Sequence, residues 1–386
     1  MRLEPPASGD PRDVLRALRA AVLGAGPAVA LGGDAAPREA PAGTAAVVTT
    51  SGSTGVPKSV VISRNALISS AYATAARLGE GAWLLAVPAT YVAGVQVIVR
   101  ALLADREPAV VAGPFRPEPF AAAALGMASH LDGARVPTYT SLVPAQLQRL
   151  LDAAQHDDTV AQALRSFEAI LIGGQALAPA VRERAAEVGA RIVRTYGSSE
   201  TSGGCVYDGV PLDGVGMRIV AGEVQLSGPT LADGYLDDPA RTASVFPVEA
   251  DGTRWYRTGD GGEIVDGVLH VTGRLDNVIV SGGVNVSLDR VEAAVRGIRG
   301  LESAVVVPIP DATWGQGSAV VVAGLSGVDE SEVLDRVRRA VGEAVGAPAR
   351  PARVIAVDEL PTLTSGKPDR AALRRLAETG TTGARD

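Results

Sequence analysis

Between about residue 45 and residue 205, short β-branched runs alternate with stretches whose apolar residues recur at helical spacing, and few architectures accommodate that alternation. Ala45–Thr49, Trp83–Val87, Ala109–Val111, Ala169–Ile172 and Arg191–Thr195 predict strands, while Arg64–Leu78, Val95–Ala104, Ser141–Leu151 and Pro179–Val188 predict helices. Strands separated by amphipathic helices build an α/β layer, with helices covering a sheet. Val87-Pro88 stops one strand and Ile172-Gly173-Gly174 stops another. Loops at such carboxyl ends are where open α/β sheets bind ligands.

The texture then changes twice. After Glu200 come short strand candidates between Gly/Asp turns, at Glu223–Leu226, Arg254–Tyr256, Gly262–Val265 and Gly267–Val271, which predict an all-β stretch. From near Gly273 the pattern is α+β. Ser287 is placed to cap a helix over Leu288–Val295; Ala304–Val307, Ala319–Val322 and Arg353–Val357 read as strands, and Val333–Val341 as a helix. A boundary at Leu275–Asn277 gives a large N-terminal domain, 1–275, with mixed sheets, helices and a β-rich end, and a small α+β domain, 276–386, whose tail Glu378–Asp386 is expected to fray.

Composition excludes several classes. With 46% hydrophobic residues the chain has ample material for a core, and a formal charge of −7 offers no global basic surface for nucleic acid or anionic lipid. The lone Cys205 has no partner for an internal disulfide and reads as a small buried hydrophobe, and His130, His156 and His270 are too scattered for a zinc site. Apolar runs such as Trp83-Leu84-Leu85-Ala86-Val87 are too short to span a bilayer, and no signal-peptide pattern opens the chain, so a cytoplasmic protein is expected.

Against 34 arginines the chain holds two lysines, Lys58 and Lys367, each in a Gly/Ser/Thr-rich segment. A compact ammonium kept where arginine supplies the other positive charge suits a position that wants a point charge rather than a planar fork; chance survival is the plain alternative. Thr50-Ser51-Gly52-Ser53-Thr54-Gly55-Val56-Pro57-Lys58 follows a predicted strand, and its glycines, hydroxyls and ammonium suit polyphosphate oxygens. Val56-Pro57 and Ser59-Val60 break the Walker pattern, which disfavours a P-loop NTPase. Tyr196-Gly197-Ser198-Ser199-Glu200-Thr201 could stack on a base, meet a phosphate and hold Mg²⁺, or be a core tyrosine beside a solvated turn acid. Asp260 in Tyr256-Arg257-Thr258-Gly259-Asp260 could accept ribose hydroxyls or be a plain turn residue; Gly282-Gly283 is a turn or a close backbone approach.

Taken in order, these segments resemble the signature set of the adenylate-forming superfamily of acyl-CoA synthetases, adenylation domains and luciferase, over about residues 44 to 375. The resemblance implies ATP, Mg²⁺ and coenzyme A as cofactor and co-substrates and a small-molecule carboxylic acid as partner. By position, Thr50, Ser51, Gly52, Ser53, Thr54, Gly55 and Lys58 resemble the phosphate loop, departing at Ser59 where glycine is usual. Gly173 and Gly174 match the stretch lining adenine, and Tyr196 the aromatic packed on it. Ser199 matches the α-phosphate hydroxyl, Glu200 the Mg²⁺ carboxylate, and Asp260 with Arg274 the ribose site. Asp276 resembles the hinge, Gly282 and Gly283 lie in the turn brought in for the thioester step, and Lys367 resembles the catalytic lysine.

Within the superfamily, Trp83–Pro88, Tyr139–Leu147 and Thr195–Val215 are most similar to the o-succinylbenzoate–CoA ligase family of menaquinone biosynthesis. Tyr91, Thr140, Ser141, Gln175, Ser202 and Gly203 are then candidate acyl-site residues, with Arg135 the candidate donor for the second carboxylate. Tyr91 stands where that family carries a histidine, which leaves open a ligase for another aryl or acyl acid; an adenylation enzyme loading a carrier protein shares every nucleotide motif. The short segment before Thr50 implies a reduced N-terminal subdomain and uncovered apolar surface, so a homodimer is expected.

Overall fold

The computed structural model describes residues 1–33, 38–50, 57–111, 113–127, 130–131, 133–311, 313–324, 329–363 and 366–379, with backbone alone at 38, 130 and 131. Its central layer is a seven-stranded sheet in the order Val210–Pro211, Gly203–Tyr207, Ile192–Ser198, Ala169–Ile172, Thr138–Leu142, Ala82–Leu85, Ala109–Val110. From Ile192–Ser198 to Ala109–Val110 neighbouring strands are parallel. Alternate side chains of these strands enter different cores, which is why they read as unbroken apolar runs. Trp83, Leu85, Ala169 and Leu171 face the helices Pro11–Val22, Arg64–Leu78 and Val92–Leu103. Leu84, Ile170 and Ile172 face Pro117–Leu125, Pro144–Ala153, Asp158–Ser166 and Pro179–Val188.

A six-stranded sheet, in the order Gly234–Tyr235, Lys58–Ser63, Thr44–Thr50, Ala28–Leu31, Arg2–Glu4, Arg38–Glu39, packs Val48, Val60 and Ile62 into the first of those cores. An antiparallel four-stranded sheet follows, Gly216–Val220, Glu223–Ser227, Trp255–Val265 and Val268–Arg274. The last sheet pairs Val284–Ser287 with Val278–Ser281, then Gly315–Ala323 and Val305–Asp311, and adds Arg353–Val357 parallel to Gly315–Ala323. Val306, Val320 and Val322 face the helices Leu288–Arg296 and Glu330–Ala344, whereas Val305, Val307, Ala319 and Val321 face the helix Arg370–Thr379 through Leu373 and Ala377. This sheet therefore has a core of its own.

Four expectations change. The helix placed from Ser141 begins at Pro144, because Thr138–Leu142 is a buried strand; Gln146 Oε1 accepts from the Val143 amide at 3.0 Å and fixes the start. Trp255 and Tyr256 of the first candidate and Gly262–Val265 belong to one strand, Trp255–Val265, whose register shifts between Gly261 and Gly262. The stretch after Glu200 is not all β: Asp238 caps the helix Pro239–Val245 by accepting from the Arg241 amide at 2.9 Å. Helix Arg370–Thr379 has no counterpart in the sequence reading, and its apolar residues make sense only against the sheet they cover.

Candidate functional site

The central sheet ends its parallel strands at one edge, and there the conspicuous residues gather. Thr50 pairs with Lys58 across the antiparallel strands Thr44–Thr50 and Lys58–Ser63, so the lysine opens the return strand. Ser51, Gly52, Ser53, Thr54 and Gly55 lie outside the described residues. The hydroxyls of Ser59 and Thr49 bond each other at 2.9 Å, which gives the departure at Ser59 a local structural use.

Glu200 sits in the single turn Ser199–Thr201, fixed because Ser198 Oγ accepts from the Glu200 amide at 3.2 Å and Thr201 Oγ1 accepts from the Ser198 amide at 2.9 Å. Its carboxylate is 2% exposed. The Lys58 ammonium and, at 2.8 Å, the Tyr235 hydroxyl both donate to Glu200 Oε1. Burial alone would raise this carboxyl's pKa, but the charge and hydrogen bond of Lys58, with help from Tyr235 and Ser198, hold it below the ordinary carboxylate range. Ser199 is buried beside it. The sequence reading missed Tyr235; an aromatic set among Asp233-Gly234 and Asp237-Asp238 was the available signal.

Gly173 and Gly174 continue the strand Ala169–Ile172 into the same edge. A side chain at Gly173 would lie 2.5 Å from Thr195 Oγ1, and Gly174 has φ +82°. A Cβ on Gly174 would sit 3.3 Å from Lys367 Cε and 3.9 Å from its Nζ, and one on Gly366 would sit 3.4 Å from Val143. The loop carrying Lys367 is closed by Leu363 N to Lys367 O and Gly366 N to Leu363 O, each at 2.8 Å. The second lysine thus reaches the edge to which Lys58 and Glu200 belong. Although the residue keeps contact with solvent, surrounding protein pushes its pKa down; Lys58 adds to that shift and Glu200 opposes it.

A second cluster lies alongside. Tyr196 donates to Asp260 Oδ2 at 2.7 Å, and Arg274 Nη1 donates to Asp260 Oδ1 at 3.2 Å and to the Thr258 carbonyl at 2.7 Å. Burial raises the Asp260 pKa, with Tyr196 and Arg274 working against it. The other edge of the Arg274 fork grips Asp276, at 3.0 and 3.1 Å. Asp289, missed in the sequence, accepts from the Arg274 amide at 2.6 Å and from Asn277 Nδ2 at 2.8 Å.

Other candidates are dispersed. Arg135 is a correction: it precedes the strand Thr138–Leu142 at the end opposite Val143 and Gly173, and pairs there with Glu168 at 3.2 Å on the surface. Thr140 is buried and spends its hydroxyl on the Leu84 carbonyl at 2.9 Å, so it serves the sheet. Ser141 is buried in the same strand, and Gln175 follows Gly174 at the edge, half-buried. Tyr91 is the half-buried N-cap of the helix Val92–Leu103. Ser202 is buried with φ +54°, its Oγ unpartnered among the described residues, and a Cβ on Gly203 would lie 3.1 Å from Gln96 Cγ. Gly282 and Gly283 form the tip joining Val278–Ser281 to Val284–Ser287; the Gly282 amide donates to the Trp314 carbonyl at 3.0 Å, and the Trp314 ring leaves no room for a side chain at Gly282.

Among the described residues no group of three His, Cys, Asp or Glu could hold a metal ion. The donor set still fits Mg²⁺: this ion is commonly held by one or two carboxylates and completes its shell with phosphate oxygens and waters, which a single buried Glu200 beside two ammonium groups allows. Among the described residues no helix is long and apolar enough to cross a membrane.

A family model described as AMP-binding enzyme matches residues 13–236, and one described as AMP-binding enzyme C-terminal domain matches 290–367. A Mycobacterium tuberculosis protein named probable 2-succinylbenzoate–CoA ligase is 40% identical over 343 residues, 86% of this chain and 85% of its own length. A solved structure of an E. coli MenE variant with bound OSB-AMS superposes with a TM-score of 0.67 at 26% identity, covering 90% of this chain and 71% of that one. Bacillus subtilis MenE, solved with the acyl-adenylate OSB-AMP, shares the fold with a TM-score of 0.70 at 24% identity over 86% of this chain and 69% of that one.

Proposed function

The chain belongs to the AMP-binding enzyme family, and on that premise we propose that it ligates o-succinylbenzoate to coenzyme A through an acyl-adenylate, releasing AMP and pyrophosphate, in menaquinone biosynthesis. The observation that carries the chemistry is Lys367 reaching Gly174 at the edge where Lys58 meets Glu200. The 40% identity to the mycobacterial ligase supports the choice of acid.

In the first step a carboxylate oxygen of the acid attacks the α-phosphorus of ATP, and the bond to the pyrophosphate oxygen breaks. Two anions approach while charge grows on the phosphoryl oxygens, so a cation that meets them there stabilises the transition state more than the bound reactants. Lys367 takes that role. Lys58 turns from Glu200 to the β- and γ-phosphates. Glu200 would hold Mg²⁺, which would supply charge neutralisation to the polyphosphate. Asp260 holds the ribose hydroxyls, which compete with Tyr196 for Oδ2, and the Tyr196 ring packs against adenine.

In the second step the coenzyme A thiol attacks the acyl carbonyl and AMP leaves. Lys367 lies where that thiol must approach, so residues 276–386 turn as a small domain about Asp276 and carry the Gly282–Gly283 tip to the thioester site. A cytoplasmic enzyme and a homodimer belong to the same reading.

The test is pyrophosphate release across o-succinylbenzoate, other aryl keto-acids, fatty acids and amino acids, followed by acceptor assays. Release with o-succinylbenzoate and thioester formation with free coenzyme A are expected. Release only with another acid sinks the substrate assignment, and transfer only to a carrier protein sinks the acceptor.

A further inference from the structure

The helix Val92–Leu103 carries Arg100 into the interior, away from the edge described above, and its guanidinium lacks an acid there. Arg100 is 7% exposed, and among the described residues the Tyr207 hydroxyl rather than a carboxylate is the group its guanidinium meets. Its Nη2 donates to the Tyr207 hydroxyl at 3.2 Å, its Cζ stands 5.0 Å from the Trp83 ring centroid, and its Nε has no partner among the described residues.

The hydrogen bonds around it fix who carries charge. Thr74 Oγ1 donates to the Ser70 carbonyl at 2.9 Å, so its contact with the Tyr207 hydroxyl, also 2.9 Å, is completed by the Tyr207 proton. The Tyr207 oxygen in turn accepts from Arg100, and no carboxylate takes part in this chain of bonds. A cation–π contact with Trp83 offsets only part of what a buried cation loses on leaving water.

Arg100 also lines a pocket between the helices Arg64–Leu78 and Val92–Leu103, with Thr74, Ala75, Trp83 and Leu103 in its wall and Glu80 in its lining. Its volume of about 20 Å³ admits one occupant the size of a water molecule or a halide ion. The Glu80 carboxylate in the lining disfavours a multivalent anion.

We propose that this pocket is a binding site for one small monovalent anion of halide size, held by the Arg100 guanidinium against Trp83 and Thr74. The anion supplies the charge that the interior withholds from Arg100, and the site is separate from the cleft of Glu200 and Lys367.

Crystals of the full chain in sodium bromide, measured near the bromine edge, test the site directly. An anomalous peak at hydrogen-bond distance from the Arg100 guanidinium is expected; a water there, or bromide only on exposed surface, overturns the proposal. In solution, sodium chloride should raise Tm by roughly 1–2 °C over sodium gluconate at equal ionic strength, once chloride exceeds its Kd several-fold. Arg100→Gln should abolish that difference. Equal Tm in the two salts, or an unchanged chloride response in the variant, also overturns it. Should the variant fail to fold, the bromide crystals of the unsubstituted chain still decide.

Discussion

Lys58 and Glu200, 142 positions apart, are ion-paired in the cleft, with the carboxylate almost wholly out of solvent. The group assigned to polyphosphate and the group assigned to Mg²⁺ therefore neutralise each other before either meets a ligand. Binding of Mg²⁺ and ATP exchanges partners rather than creating charges in an apolar place, which keeps both side chains ordered beforehand.

Lys58→Ala leaves Glu200 buried without its cation and should cost about 3 kcal/mol in urea unfolding at pH 7. The pH dependence follows from the depressed Glu200 pKa. The stability contributed by a depressed carboxyl is present above its unfolded pKa and is lost as pH falls through the folded value. The gap between the parent and Lys58→Ala should therefore be full at pH 7 and shrink as pH falls below the unfolded value of 4.5; a constant gap would refute the pairing as its source.

Lys367→Ala should lower the single-turnover rate of adenylate formation by roughly 10²–10³ while leaving ATP affinity within a few-fold. Because the protein packed around the partly solvent-exposed lysine, with Lys58, lowers its pKa from 10.5, the parent enzyme should lose adenylation on an alkaline limb centred below that value. Lys367→Ala, with no ammonium to titrate, should show no such limb. A limb that persists in the variant assigns it to another group.

Gly174→Ala tests the meeting of the two parts of the chain. Its φ of +82° costs an alanine about 1–2 kcal/mol, and the new methyl would stand 3.3 Å from Lys367 Cε. Adenylation should fall at least tenfold while thioester formation from supplied acyl-adenylate changes little; equal losses would mean that only local strain was felt.

Asp276 is both a hinge candidate and a partner of the Arg274 fork. Asp276→Ala removes the clamp alone, and Asp276→Pro also restricts the backbone. Adenylation should survive in both, with thioesterification suppressed only in the proline variant. Suppression by alanine as well would place the effect in the clamp.

Arg135→Ala should leave KM for the acid unchanged in a steady-state assay, since Arg135 is exposed at the opposite end of its strand. A tenfold rise would restore it as a substrate ligand.

Much of the fold was legible because both periodicities were clean. Arg64–Leu78, Pro179–Val188, Ala169–Ile172 and Arg353–Val357 are elements with the limits their patterns implied. The strand Thr138–Leu142 was hidden because Thr138, Thr140 and Ser141 are polar residues satisfied or buried by neighbours far along the chain; Thr140 finds its acceptor on Leu84. Helix Arg370–Thr379 was hidden because only Leu373 and Ala377 are fully buried in it, enough once a sheet lies beneath it.

At the site, residue chemistry was readable and geometry was not. Two lysines in Gly/Ser/Thr-rich segments, an acid after a hydroxyl pair, and an Asp and an Arg in neighbouring turns stand out by type and local spacing alone. That Lys58 spends its charge on Glu200, that Tyr235 shares the same carboxylate oxygen, that Asp289 backs Arg274, and that Arg135 lies at the wrong end of its strand were settled by tertiary structure. The physical reason is range. Propensity, capping and turn chemistry act over a few residues and are written locally, whereas ion pairing and desolvation depend on distances that exist only after segments 15 to 142 residues apart have packed together.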